Sequence, residues 1–241
     1  MKRKVAMAEP EAPAEVAPAE IALAPRKRGP KVDVELTRQR RADILREAAR
    51  LFDKVGYHGV NMEMIAEAAG LKKPTLYHYI RSKDEILFEI HEAMIESLRS
   101  SIAARKERGA GPAESLQGVF EDIFQQTHDF PGYVRAFFEH IRELDDARKS
   151  QIRKARNDYM AQVMAILEEG MATGVFKRHD VRLTALSLLG ICNWAYQWYR
   201  PGLDAPPAEI AAQSWAIFAG GLLADGGEAP AAKTAKASRR K

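Results

Sequence analysis

Apolar residues recur along most of this chain every three to four positions, the spacing that gathers them on one face of an α-helix. Over residues 34–55, Ile44, Leu45, Ala48, Ala49, Leu51 and Phe52 form such a stripe, while Arg38, Arg40, Arg41, Arg46 and Arg50 decorate the other surfaces. Gly56 closes this helix. Two short helices follow within residues 60–80. Met64, Ile65, Ala68 and Ala69 give the first an apolar face, and Asn61 stands where an N-cap offers its side-chain oxygen to free N–H groups. Gly70 ends it, because glycine tolerates φ > 0 at little cost. Pro74 suits the first turn of the second, whose surface carries Lys72, Lys73, Thr75, Tyr77, His78 and Tyr79.

A long helix is predicted next, to about residue 105, with Ser82 and Glu85 as its capping box and Ile86, Leu87, Ile90, Met94, Ile95 and Leu98 on its buried side. Gly109-Ala110-Gly111-Pro112 breaks it. Helical periodicity resumes over about 113–127, then after Pro131 (Tyr133, Phe137, Phe138, Ile141, Leu144), and then over 146–172 (Tyr159, Met160, Val163, Met164, Leu167). One helix is expected over 180–199, stopped by Pro201-Gly202, and a last one from about 206 to 223. No alternating strand pattern competes, so the expected fold is all-α with about nine helices.

Composition narrows the function. A chain of 241 residues, 46% hydrophobic, has room for a sizeable core in one or two domains. The single cysteine, Cys192, excludes an internal disulfide framework and a multi-cysteine zinc site, and is compatible with a reducing cytoplasm. No apolar run approaches the roughly 18 residues of a membrane span, and the basic start leads into Ala, Pro and Glu rather than a secretory apolar segment. Net charge is only +4, but residues 26–83 hold 14 Lys/Arg against 7 acidic residues, whereas residues 84–241 hold 20 against 22. Positive charge therefore gathers around the two short helices, as a phosphate-binding surface requires. A solvated helix surface without a partner would look the same by charge alone.

The expected layout is a disordered Ala/Pro/Glu tail with a basic arm over 1–30, a DNA-binding domain over 31–98, a helical domain over 99–224 and a disordered basic tail over 225–241. Arg26 and Arg28 lie in the arm, which can reach a minor groove or serve only as a solubilising linker. The pair of short helices at about 61–80 reads as a helix-turn-helix, its second helix being of a size and polarity that fit the DNA major groove.

Three flanking features make that motif specific: Ala48-Ala49-Arg50-Leu51-Phe52-Asp53-Lys54-Val55-Gly56-Tyr57 before it, Ile65-Ala66-Glu67-Ala68-Ala69-Gly70-Leu71 within it, and Thr75-Leu76-Tyr77-His78-Tyr79 with Lys83-Asp84 after it. Over about residues 38–98 the chain closely resembles the TetR family of bacterial transcriptional repressors. The resemblance implies a homodimer that places residues 73–79 of each head in one half-site of a palindromic operator. It also implies a helical C-terminal domain that dimerises through its last two long helices and encloses a cavity for a small-molecule effector. By the same resemblance Thr75, Tyr77 and His78 read bases, Tyr79 and Lys83 anchor the DNA backbone, and Leu76 and Ile80 pack inward. Two positions depart from the family pattern: Asn61 and Met62 stand where threonine is common, and Pro74 replaces a frequent glycine, removing a backbone N–H available to a phosphate.

Asn193-Trp194 and Trp198-Tyr199-Arg200-Pro201 resemble a signature of the TetR branch that senses acyl-coenzyme A thioesters in lipid and steroid catabolism. On that reading Trp194, Trp198 and Arg200 belong to the pocket wall or its mouth, Arg200 pairing with a phosphate or carboxylate. The alternative makes the tryptophans core or interface filler and Arg200 a cap on helix-terminal carbonyls. Phe124, His128, Phe137, Phe138, His140, Tyr159, Met160 and Met164 fall on helices expected to surround a cavity, although an apolar stripe at helical spacing is also what plain core looks like. No histidine has partners at metal-ligand spacing, and no nucleophile–base pair or phosphate loop is present in the sequence, so neither metal, cofactor nor catalysis is expected. The alternative to a ligand-responsive repressor is an architectural nucleic-acid binder that uses its basic tails and ignores sequence. That alternative leaves the aromatic-rich C-terminal domain without a role.

Overall fold

The computed structural model describes residues 34–202 and 205–224. The tails expected at either end, and the arm carrying Arg26 and Arg28, lie outside the described residues. Nine helices of seven residues or more, with one single-turn helix, account for nearly all of what is described. No helix among these residues is long and apolar enough to cross a membrane.

The first four helices are α1 (Val34–Val55), α2 (Met62–Ala68), α3 (Lys73–Tyr79) and α4 (Lys83–Glu107). Two of them have seven residues, too few to be stable helices in water, so packing must hold them. Ile44, Ala48 and Phe52 of α1 meet Ile65 of α2, Leu76 of α3 and Ile86 of α4 in one fully buried cluster. Local chemistry then sets the boundaries. Asn61 Oδ1 accepts from the N–H groups of Glu63 and Met64, both at 3.0 Å. At the other end of α2, Gly70 has φ +65°, and Leu71 N–H donates to Ala66 O at 2.8 Å while Gly70 N–H donates to Glu67 O at 3.0 Å. Ser82 Oγ caps α4 by accepting from Glu85 N–H at 3.1 Å. The Glu85 carboxylate turns back to Arg81 N–H (2.8 Å), one residue before the expected capping-box partner.

Arg41 is not the surface decoration that the apolar pattern suggests. It is half-buried, and its guanidinium donates to the Tyr79 carbonyl at the end of α3 and to Glu85 and Glu89 of α4, joining three helices.

The remaining helices are α5 (Pro112–Asp129), α6 (Pro131–Glu139), α7 (Asp146–Ala172), α8 (Val181–Asn193), α9 (Ala195–Trp198) and α10 (Pro207–Leu222), with a 3-10 turn at Ile141–Glu143. At their centre is α5, whose Leu116, Val119, Phe120 and Phe124 are buried among α4, α7, α8 and α10. Phe120 meets Trp215 and Phe218 of α10 at centroid distances of 6.0 and 5.6 Å. Arg105 of α4 forms a fork with Asp122 of α5 in this buried setting. An antiparallel bridge between Phe176 and Leu223 ties the turn after α7 to the end of α10.

The single helix expected over residues 180–199 is divided at Trp194, which lies between α8 and α9. The bend carries Ala195 and Tyr199 into the angle between α5 and α6, where both are buried, and the Tyr199 hydroxyl meets His128 Nδ1 of α5 at 2.7 Å. Periodicity cannot reveal such a bend, because the residues on either side remain helical.

α6 lies directly against α1. At Gly132 the helices approach so closely that a Cβ would stand 2.6 Å from Ala49 O, so only glycine fits without moving one helix. Arg135 Nε reinforces the joint at 2.7 Å from Asp53 of α1. Gly132→Ala is therefore expected to cost about 1–3 kcal/mol, the range for overpacking a close contact. Urea denaturation checks this: the midpoint should fall with the slope unchanged.

Candidate DNA-binding and effector sites

α3 offers solvent a polar face. Lys72 precedes the helix as its N-cap and is exposed, as are Lys73, Tyr77 and His78, while Thr75 and Tyr79 are partly covered at its flanks. Leu76 and Ile80 point the other way and are fully buried, so α3 can present those polar groups only in this orientation. Lys73 is loosely paired with Glu63 at 3.4 Å, across exposed surface where such a pair is worth little. Lys83 is less free: its ammonium donates to Tyr57 O at 2.8 Å and sits 4.4 Å from the Tyr57 ring centroid. A lysine carries three donors, so this seat leaves capacity for another acceptor. Asn61 spends its oxygen on the cap of α2, leaving its NH2 group to face solvent.

A cavity of about 210 Å³ opens among α4, α5, α6, α7 and α8. Met94, Ile95 and Leu98 of α4, Ile123 of α5, Val134, Phe137 and Phe138 of α6, Met160 of α7 and Leu189 of α8 make most of its wall. The polar exceptions are Gln126, Thr127, Arg156, Asn157, Tyr159 and Asn193, together with the Cys192 thiol, whose pKa burial pushes up. Arg156 stacks its guanidinium 4.0 Å from the Phe137 ring centroid and donates to Phe137 O at 3.1 Å. Burial lowers its pKa from the usual arginine value. The Tyr159 hydroxyl is buried without a hydrogen-bond partner among the described residues.

Four of the sequence-predicted pocket residues, Phe137, Phe138, Tyr159 and Met160, line this cavity. Phe124 and Met164 do not; Phe124 is fully buried in the core. His128 does not line it either; its Nδ1 is joined to the Tyr199 hydroxyl. His140 sits against the Tyr57 ring, centroids 5.5 Å apart, with burial lowering its pKa. Trp194 and Trp198 lie outside the cavity wall and are 64% and 45% exposed. Arg200 donates to the carbonyls of Gln197 (3.3 Å) and Tyr199 (3.1 Å) at the end of α9. Sequence reasoning did not find the α4 wall, nor Arg156, Asn157, Leu189 and Asn193. One signal was available: Arg156 precedes Tyr159 by three residues, which puts a cation on the apolar stripe of its helix.

Two helices touch both the head and the cavity. α4 carries Ile86 in the head core and Met94, Ile95 and Leu98 in the cavity wall, and α6 carries Gly132 against α1 and Phe137 in the wall. His91, fully buried on α4, fastens the two: Nδ1 lies 2.7 Å from Leu87 O, Nε2 lies 3.1 Å from Phe137 O, and its ring stacks on Phe137.

Among the described residues, a helix-turn-helix head resting on a helical domain with a cavity describes a class of DNA-binding protein, and comparison gives that class a family. Residues 44–90 match the model of the bacterial regulatory proteins of the tetR family, and residues 109–222 match that of a tetracyclin repressor-like C-terminal domain. The chain belongs to the TetR family and is a transcriptional regulator of the TetR type. It is 26% identical to the transcriptional repressor KstR2 of Mycolicibacterium smegmatis over 191 residues, covering 78% of this chain and 93% of the relative. Among solved structures, the TetR family regulator PfmR of Thermus thermophilus superposes with a TM-score of 0.69 at 30% identity, covering 74% of this chain and 97% of that one. AibR, solved in complex with isovaleryl coenzyme A and operator DNA, shares the fold with a TM-score of 0.65 at 24% identity, over 74% of this chain and 97% of that one. These relatives are regulators, not enzymes.

The seat of His91 has a pH consequence. Burial lowers its pKa from 6.5 to about 4, so between those values the unfolded chain binds the proton more readily than the folded one. The stability this gives is complete above about pH 6.5 and is lost as pH falls toward 4. The full effect is on the order of 3 kcal/mol. His91→Gln should flatten the pH dependence of unfolding free energy in that window, measured by urea titration at a series of pH values. An unchanged slope would assign the acid sensitivity to other groups.

Proposed function

We propose that this chain is a ligand-responsive repressor that binds a palindromic operator as a homodimer and is released by a small effector, in kind an acyl-coenzyme A thioester. The observation that carries the ligand-responsive part is the cavity walled by α4 and α6, the two helices that also support the head. Occupying it separates or locks those helices, and the spacing of two heads on DNA changes with them. KstR2, described as a ketosteroid regulator in its solved form and similar to this chain at 26% identity, supports an apolar effector, and the Trp194–Arg200 signature supports an acyl thioester. A whole coenzyme A thioester exceeds a cavity of about 210 Å³, so the acyl part would enter and the nucleotide part would remain outside.

In the DNA complex, Thr75, Tyr77 and His78 are the proposed base readers. Lys72, Lys73, Asn61, Tyr79 and Lys83, with Arg26 and Arg28 from the arm, are the proposed phosphate contacts. Dimerisation is supported by an apolar face on α8 and α10, where Leu183 and Ile217 are more than half exposed in one protomer, with Trp194 equally exposed just past the end of α8. A second copy, bringing the same face by two-fold symmetry, is the proposed cover.

Selection from random duplexes followed by competition tests the reading. The expected result is a two-fold symmetric site preferred by about 10³-fold or more over random DNA; equal affinity for all duplexes would favour the architectural binder. Tyr79→Phe should weaken binding to every sequence alike, whereas Thr75→Ala or His78→Ala should alter the selected site. Ile217→Asp should yield a monomer by sedimentation, and a dimer of unchanged affinity would move the interface elsewhere.

A further inference from the structure

The way this molecule treats its arginines singles one of them out. Arg41 and Arg105 are both drawn off the surface, and each is matched by acids: Glu85 and Glu89 for the first, Asp122 for the second. Arg156 is half-buried as well, yet no carboxylate pairs with it among the described residues, and no aspartate or glutamate lines the cavity it faces. Its partners are one carbonyl and one ring, both of Phe137, and its Nε is buried without any acceptor. A guanidinium withdrawn from water into an apolar wall and left without an anion is unfavourable for the ligand-free protein. One turn along the same helix the Tyr159 hydroxyl, 7% exposed, also lacks a partner. Arg156 and Tyr159 are three residues apart on α7, so both unsatisfied groups face the same side of the helix and the same cavity.

We propose that Arg156 is the anchoring site for a carboxylate carried by the effector, with an oxygen of that ligand accepting the Tyr159 hydroxyl proton and its apolar body lying against Met94, Ile95 and Met160. This rests on the reading of the cavity as the effector site and adds the chemical class of the ligand's buried end. A planar fork of donors matches a carboxylate, which takes two parallel hydrogen bonds. A phosphate dianion would bring more charge than the one arginine on this wall can balance, and a neutral thioester carbonyl would leave the cation unpaired. His91, whose Nε2 meets the same Phe137 carbonyl as Arg156, stays neutral near pH 7 and does not compete for the anion. The apolar surroundings strengthen the contact once water is excluded. At about 210 Å³ the space is smaller than the ~300–1,000 Å³ of drug-sized sites, which limits the ligand to a compact acid. Such a group can come from a free carboxylic acid or from the far end of a dicarboxylic acyl thioester.

The test uses the full chain with hexanoate, octanoate, decanoate and cyclohexanecarboxylate, their alcohols, and hexanoyl-, octanoyl-, hexanedioyl- and octanedioyl-coenzyme A. Thermal shift and calorimetric titration are read for the native protein, Arg156→Met and Arg156→Lys. The expected result is binding of at least one free acid or dicarboxylic thioester and at least tenfold weaker binding of its alcohol or monocarboxylic counterpart. Arg156→Met should erase that preference, and Arg156→Lys should retain part of it. The ligand-free Met variant should melt no lower than native, since an unpaired cation has been removed. A preference confined to free acids or to dicarboxylic thioesters identifies the source. The proposal falls if no carboxylate in the panel binds, if alcohols and monocarboxylic thioesters bind as well as the acids, or if Arg156→Met lowers the melting temperature while keeping the preference. Should octanoyl-coenzyme A release operator DNA equally from native and Arg156→Met protein, the repressor reading stands and the Arg156 anchor does not. A native protein with no preferred DNA site overturns the repressor reading instead.

Discussion

One guanidinium holds the DNA-binding head in shape. Arg41 leaves α1 to meet the last turn of α3 through the Tyr79 carbonyl and the first turns of α4 through Glu85 and Glu89. A seven-residue helix has no stability of its own to set its direction. α3 is oriented by what it buries, Leu76 and Ile80, and by what holds its C-terminal carbonyl. The polar face toward solvent is the remainder after those two demands are met. The direction of the polar face in such a head is set by residues that lie behind it.

The cavity follows a different rule. Its apolar wall is continuous with the core, and α5 reaches both through Phe120, Phe124 and Ile123. What marks the site is that two groups with buried, unsatisfied atoms, Arg156 and Tyr159, face open space. In a packed interior such groups are normally paired, as the two terminal nitrogens of Arg105 on the Asp122 carboxylate illustrate. Arg156 and Tyr159 both lie where a small molecule has room to reach them.

Much of the fold was legible in the chain because each helix announces itself by period and punctuation. The stripe from Ile44 to Phe52, the Asn61 cap, the Gly70 turn and the Asp146-to-Ala172 run all appear where local chemistry demands. Features set by packing were not legible. The bend at Trp194 exists to bury Tyr199, a demand that comes from α5 and α6 rather than from its neighbours in sequence. Arg41 looked like surface because the pattern says which face a residue occupies, not what else arrives at that face. For the cavity, aromatic positions on α6 and α7 were foreseeable, whereas the α4 wall was indistinguishable from core, since Met94, Ile95 and Leu98 continue the stripe that buries Ile86 and Ile90.

The meeting of Gly132 with Ala49 has one further consequence. Most helix pairs touch through side chains, which change rotamer and absorb small displacements before the backbones respond. Here the backbones themselves touch, because no Cβ stands between them. Six residues further along, α6 ends its cavity-facing surface at Phe138. A ligand that displaces that end by a fraction of an ångström therefore meets no cushion at the other. Either the first helix of the head travels with α6, or the joint opens. In mechanical terms the contact is a rigid bearing, and its stiffness comes from the smallest residue in the chain.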